Sequence, residues 1–189
     1  MSASLKPRAV IRRKGGFTLV ELMVVVAVLA ALMSIGAPSF MEWIQNSRIR
    51  TAAESLQNGL QIARAEAVRR NTNVEFMLNG TGGAWTVQLQ RGDEPFLQGS
   101  AAEGGGTVIV TSTPALATTL TYNGLGRVNA ENADGSARLT QLDVDLPATV
   151  LAPEKTRDLR LMVGAGIDDP GGEIRMCDPN VAAGDVRSC

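Results

Sequence analysis

Glu21 is a carboxylate where water is scarce: it is the only charged residue among the twenty-one from Phe17 to Ala37. An ion stranded in apolar surroundings costs free energy unless a cation or hydrogen bonds meet it, so Glu21 asks for a partner. Other candidates for chemistry are few. The chain has no histidine, which removes the usual general base, the commonest metal ligand and the middle member of hydrolase triads. Two carboxylate pairs, Asp143 with Asp145 and Asp168 with Asp169, could share acid and base work. The first pair falls on the polar side of an alternating stretch and the second in a Gly/Pro loop, where solvation accounts for both. Arg157, Arg160, Arg175 and Arg187 could form a phosphate-contacting patch, but Glu173, Asp178 and Asp185 lie among them. Cys177 and Cys189 are too sparse for a zinc site and contain no CxxC spacing. They suit a disulfide closing a loop in an oxidising compartment, worth ~3 kcal/mol for a loop of about a dozen residues. No catalytic residue, metal or cofactor is expected, and the chain does not read as an enzyme.

The elements that position these residues follow from charge and period. Lys6, Arg8, Arg12, Arg13 and Lys14 all precede Phe17, with no acid among them. Setting them aside leaves 13 of 18 basic residues against 19 acidic, a formal −6 that disfavours a broad grip on nucleic acid. A secretory signal carries its small-residue cleavage site after the apolar run; here Gly15-Gly16 come before it. A cut after Gly16 would therefore leave the apolar helix on the mature chain, and the basic charges hold that end in the cytoplasm. Residues 17–37 match the ~20 needed to cross a hydrocarbon core. An ordinary anchor, with Glu21 only ~6 Å along the helix and near the headgroups, is the bland alternative.

Beyond Pro38 the apolar positions Ile49, Ala53, Leu56, Leu60, Ala63 and Ala67 advance by alternating threes and fours, a stripe on one helix face. One helix of roughly fifty residues, ~75 Å long and kinked or locally melted near Gly36 to Pro38, is expected, with Asn71 and Asn73 marking its end. The stripe's alanines suit a sheet laid closely on the helix better than a coiled-coil seam, which needs sustained large residues. From Val74 the period becomes two. Val74, Phe76 and Leu78, then Trp85, Val87 and Leu89, then Leu142, Val144 and Leu146 read as half-buried antiparallel strands. Asn79 to Gly83 joins the first two as a hairpin. Further strands are expected at 107–111, 120–122, 159–163 and 173–177. Gly104 to Gly106 and Asp168 to Gly172 lack the Gly-Lys-Ser/Thr of a phosphate loop and read as turns.

The string GGFTLVELMVV from Gly15 resembles the leader and N-terminal helix of type IV pilins and type II secretion pseudopilins. That resemblance implies cleavage between Gly16 and Phe17 by a prepilin peptidase, N-methylation of Phe17, and Glu21 as the fifth mature residue. It implies too that Glu21 sets assembly register by pairing with the freed Phe17 amine of a neighbour. Pro38 resembles the proline that breaks or loosens the helix in many pilins. Asn123-Gly124-Leu125-Gly126-Arg127 resembles the Gly-Arg turn of GspH/FimT-type heads, with Arg127 read as a solvated turn residue, and Gly171 to Pro179 resembles their closing strand. Residues 91–118 match no named pattern.

The implied fold is α+β and pilin-like, a long N-terminal helix packed on a mostly antiparallel sheet. Residues 1–16 would be a cleaved leader, 17–37 a transmembrane and filament-core helix, 38–72 its amphipathic continuation, and 73–189 a periplasmic β-rich head. The implied function is a minor pilin that helps initiate or assemble a type IV pilus near its tip. A type II secretion pseudopilin and a DNA-binding minor pilin for natural transformation are the alternatives. Expected partners are other pilins or pseudopilins, an inner-membrane assembly platform and the prepilin peptidase. The expected location is the bacterial inner membrane, crossed once with the head outside the cytoplasm, and then the fibre.

Overall fold

The computed structural model describes residues 16–90, 96–102, 106–164 and 171–189, so the basic residues expected to form a leader, Gly104 with Gly105, and Asp168 with Asp169 lie outside the described residues. The chain forms two compact units, residues 1–40 and 41–189.

The first unit contains the opening of α1 (Leu19–Arg70). Every described residue from Gly16 to Phe40 is exposed, although the mean hydropathy of the most apolar window of α1 is 2.5. This apolar stretch is long enough to cross a bilayer and is exposed among the described residues. Of the kink or local melting expected near Gly36 to Pro38, the melting is not seen: α1 stays helical through both residues. Pro38 forfeits one i→i−4 bond for want of an N–H, but the turns on either side keep their own. The Ser34 hydroxyl also donates to the Ala31 carbonyl at 2.8 Å.

In the second unit the predicted stripe is the buried face of α1. Ile49, Ala53, Leu56, Leu60, Ala63 and Ala67 are fully buried, joined by Ala52 and Gly59. Small residues let the sheet approach closely, and Gly59 sits under the rings of Phe76 and Trp85, whose centroids are 6.1 Å apart. The Trp85 indole N–H donates to the Ser55 hydroxyl at 3.1 Å, so the buried polar edge of that side chain is satisfied.

α1 ends in a Schellman cap. Asn71 adopts φ 48°, its N–H donates to the Val68 carbonyl at 3.3 Å, and the Thr72 N–H donates to the Ala67 carbonyl at 3.2 Å. Arg69 and Arg70 in the last turn complement the helix dipole while both pair with Glu66.

The strands follow in order: β1 (Val74–Asn79), β2 (Ala84–Leu89), β3 (Phe96–Ser100), β4 (Ile109–Thr113), β5 (Thr119–Tyr122), β6 (Gln141–Asp145), β7 (Leu159–Val163) and β8 (Ile174–Cys177). They form two antiparallel sheets, ordered β3-β2-β1-β5 and β4-β6-β7-β8, instead of one. β1 and β2 pair in the expected hairpin, with Gly80 and Gly83 at positive φ. The sheets share a single apolar core: Val74, Phe76 and Val87 from one cluster with Leu142, Val144 and Leu161 from the other. Backbone bonds join them, among them Val110 N–H to the Thr81 carbonyl at 2.7 Å and Leu139 N–H to the Thr119 carbonyl at 2.9 Å.

Candidate functional site

The amino end of α1 holds the residues singled out for processing and assembly. Gly16, Phe17 and Thr18 precede the helix, Gly16 is exposed and Phe17 is 84% exposed, so the Gly16–Phe17 bond lies open and outside regular structure. The Thr18 hydroxyl accepts the Glu21 N–H at 3.2 Å and caps the helix. Thr18 and Glu21 thus have the spacing of a capping box, and Glu21 stands in the first turn, where the helix dipole favours a carboxylate. This signal was present in the sequence as Thr-x-x-Glu before an apolar run. Glu21 is thus an exposed carboxylate one helical turn from the exposed Gly16–Phe17 bond.

Where the head begins, α1 is tied to the loop after β6. Lys155, in the 3-10 turn Pro153–Lys155, pairs with Glu42. Asn46 donates to the Lys155 carbonyl at 3.0 Å and accepts from the Arg157 N–H at 2.8 Å. One short polar side chain thereby fastens two backbone groups of the loop.

At the other end of the head, Arg64 is the residue the sequence reading missed. Its Nε donates to the Gly126 carbonyl at 3.1 Å and its Nη2 to the Gly171 carbonyl at 3.4 Å. It thus draws together the two stretches that resemble family signatures. Asn123 closes its own turn by accepting the Leu125 and Arg127 N–H groups at 3.0 and 3.1 Å. Gly172 has no room for a side chain, since a Cβ there would stand 2.6 Å from the Gly126 carbonyl oxygen at φ 67°. Arg127 is exposed, as read from the sequence.

The four candidate phosphate-binding arginines are not a free cationic patch. Arg160 pairs with Asp143 across β6 and β7 at 2.6 Å, and Arg187 pairs with Asp185 at 3.0 Å. Arg187 holds the Asp185 carboxyl at about 2, chiefly through that hydrogen bond. Arg175 donates to the Ser188 carbonyl at 2.8 Å, which leaves Arg157, whose exposed side chain has no ion pair among the described residues. Cys177 and Cys189 are bonded, with Cα atoms 5.1 Å apart, and close the C-terminal loop beside Arg175. Asp143 is held by Arg160 and by Gln141, so it does not form an acid–base couple with Asp145. Asp145 is instead raised above the usual carboxylate range by burial and by Asp158 beside it.

A family model described as type II transport protein GspH matches residues 52–166, and one for the prokaryotic N-terminal methylation motif matches residues 11–37. Among solved structures, the type IV minor pilin FimU of Pseudomonas aeruginosa is similar at 15% identity and a TM-score of 0.50, over 71% of this chain and 91% of that one. The minor pseudopilin EpsH from the type 2 secretion system of Vibrio cholerae is similar at 12% identity and a TM-score of 0.46, over 71% of this chain and 98% of that one. The likeness to FimU is one of fold: a long helix carrying antiparallel sheets.

Proposed function

The chain belongs to the type II transport protein GspH family, and from that premise we propose that it is a minor pilin, a subunit at or near the tip of a type IV pilus that helps start its assembly. The observation that carries this reading is the apolar, exposed opening of α1, residues 19–40, with one carboxylate, Glu21, placed one turn after the open Gly16–Phe17 bond. Such a surface is covered first by lipid and then by neighbouring helices. The peptidase cut at Gly16 frees the Phe17 amine, which is then N-methylated, and Glu21 of one subunit meets that cation on the next. In the apolar core of a fibre an unmatched carboxylate is costly, so the pair selects one axial register. Before assembly the chain waits in the bacterial inner membrane with its head in the periplasm, where Cys177–Cys189 is at home. An inner-membrane platform then delivers it to the fibre. The subunit works by packing and performs no catalysis.

The family description itself favours a second reading, a pseudopilin of a type II secretion system, which uses the same helix in a short periplasmic fibre. DNA binding is the weakest reading, because three of the four arginines already have partners. Deleting the gene and measuring surface pili and exported enzymes in the same strain separates the first two. Loss of pili with normal export, restored by the wild-type chain, supports the pilus reading; the reverse pattern supports secretion.

A further inference from the structure

Asp158 Oδ1 is a buried carboxylate oxygen that meets no hydrogen-bond donor among the described residues. Buried acceptors are nearly always paired, so an unpaired one asks what completes it. The β6–β7 ladder runs to Val144 opposite Leu159, and the next residue on each side brings the carboxyls of Asp145 and Asp158 together. Two ionised carboxylates can only accept, so as anions they repel and leave Asp158 Oδ1 without a donor. One proton between them turns a carboxyl into a donor and removes the repulsion in the same step.

The other charges nearby are engaged elsewhere or turned to water. Asp143, two residues back on β6, pairs with Arg160 of β7. β4 sets only the uncharged Ile109 opposite Asp145. In the segment before β7, Lys155 pairs with Glu42, while Glu154 and Arg157 are exposed. On β8, Arg175 donates to the Ser188 carbonyl. In the C-terminal loop Asp185 pairs with Arg187, and Asp178 accepts the Asn180 N–H at 2.9 Å. Burial first, and Asp158 next, accordingly raise Asp145 above the usual carboxylate range.

The pair also holds a distant part of the chain. Asp158 Oδ2 accepts a side-chain N–H of Asn180 at 2.8 Å. Asn180 lies in the C-terminal loop that Cys177–Cys189 closes. We propose that Asp145 and Asp158 form a proton-operated clasp on this loop: a proton shared between them fixes the Asp158 carboxyl for Asn180, and without it the two anions part and the loop loosens. Because the folded head binds the proton more tightly than the unfolded chain, the hold is complete below the unfolded value of about 3.9. It is lost as pH rises through the raised folded value. A head standing outside the cytoplasm, as proposed above, thus carries a loop that is firmest in acid.

The test follows amide hydrogen exchange of the loop after Cys177 in the full-length chain in neutral detergent, corrected for the chemical exchange rate, from neutral pH to about 4. The expected result is protection that rises as pH falls. Asp145→Asn, whose side-chain amide can donate to Asp158 Oδ1 at any pH, should show the high protection already at neutral pH and lose the pH dependence. Asp145→Ala relieves the repulsion but supplies no donor, so its loop should be insensitive to pH and less protected than in Asp145→Asn. Asn180→Ala cuts the link: the loop should stay at low protection throughout, while the pH dependence of the head's melting temperature persists. Equal pH dependence in the wild-type and Asp145→Asn chains would overturn the proposal, as would wild-type protection that does not change with pH. Protection raised at neutral pH by calcium and abolished by EDTA would overturn it too, because a cation and not a proton would then fill the gap.

Discussion

Gly59 measures how closely the sheet lies on α1. A Cβ added there would stand 2.7 Å from Trp85 Cδ2 and 2.9 Å from Phe76 Cε2, both ring atoms in a packed core. Gly59→Ala gains roughly 1 kcal/mol in helix propensity but overpacks at a cost of about 1–3 kcal/mol. Because rigid rings and not flexible chain ends are struck, the clash should win and lower the urea midpoint of the detergent-solubilised chain. Asp145 makes an opposite prediction. Burial first, and Asp158 next, raise its folded pKa, so the folded state prefers the protonated form. The charged form therefore costs stability above the unfolded value of about 3.9, and that cost disappears as pH falls through the raised folded value. Asp145→Asn should stabilise the head at neutral pH and lose its advantage in acid, as read from melting curves across that range. At this scale the sequence was only partly legible. Thr18 and Glu21 advertise their cap by spacing, whereas Arg64 and Asn132 look like any surface residues. Asn132 is 5% exposed, and its amide donates to the Thr119, Ser136 and Ala137 carbonyls while its oxygen accepts from Thr121. Those partners belong to separate stretches of chain, so no local pattern announces them.

Among elements, those with a self-contained period were legible. All six positions of the α1 stripe are fully buried, and the three alternating triplets fall on β1, β2 and β6, although Leu89 is only partly buried and Leu146 lies just past β6. β3 escaped notice because Phe96–Ser100 has two adjacent apolar residues and no alternation, as befits a largely exposed edge strand. β4 runs Ile109–Thr113, two residues later than expected at 107–111, since Thr107 to Thr113 is β-branched almost throughout and carries no boundary signal. The division into two sheets was not legible, because β4 pairs with β6 and not with its chain neighbour β5. The C-terminal loop is held by its disulfide, by Arg175 on the Ser188 carbonyl and by the Asp178 N–H on the Arg187 carbonyl at 2.7 Å. Replacing Cys177 and Cys189 with serine should cost about 3 kcal/mol on the loop-entropy argument. A reductant should then lower the unfolding midpoint of the wild-type chain and leave the variant's unchanged.

For the whole molecule, charge and cover decide what the chain can meet. From Phe17 onward it is formally −6, and Arg160, Arg175 and Arg187 are engaged within the head. Counterion release from DNA needs a basic face, so the chain in neutral detergent should retain no duplex DNA even at low salt. Steep, salt-sensitive retention would restore the transformation reading. The exposed apolar opening of α1 suits the proposed packing against other helices, in which Glu21 is proposed to make that packing specific. The most direct measurement of that claim is the amount of this subunit in sheared surface fibres from a strain carrying Glu21→Ala, with leader cleavage followed by mass in the same cells. The account predicts normal cleavage at Gly16 and a subunit absent from the fibres, with Glu21→Asp intermediate. Normal incorporation of Glu21→Ala would contradict it.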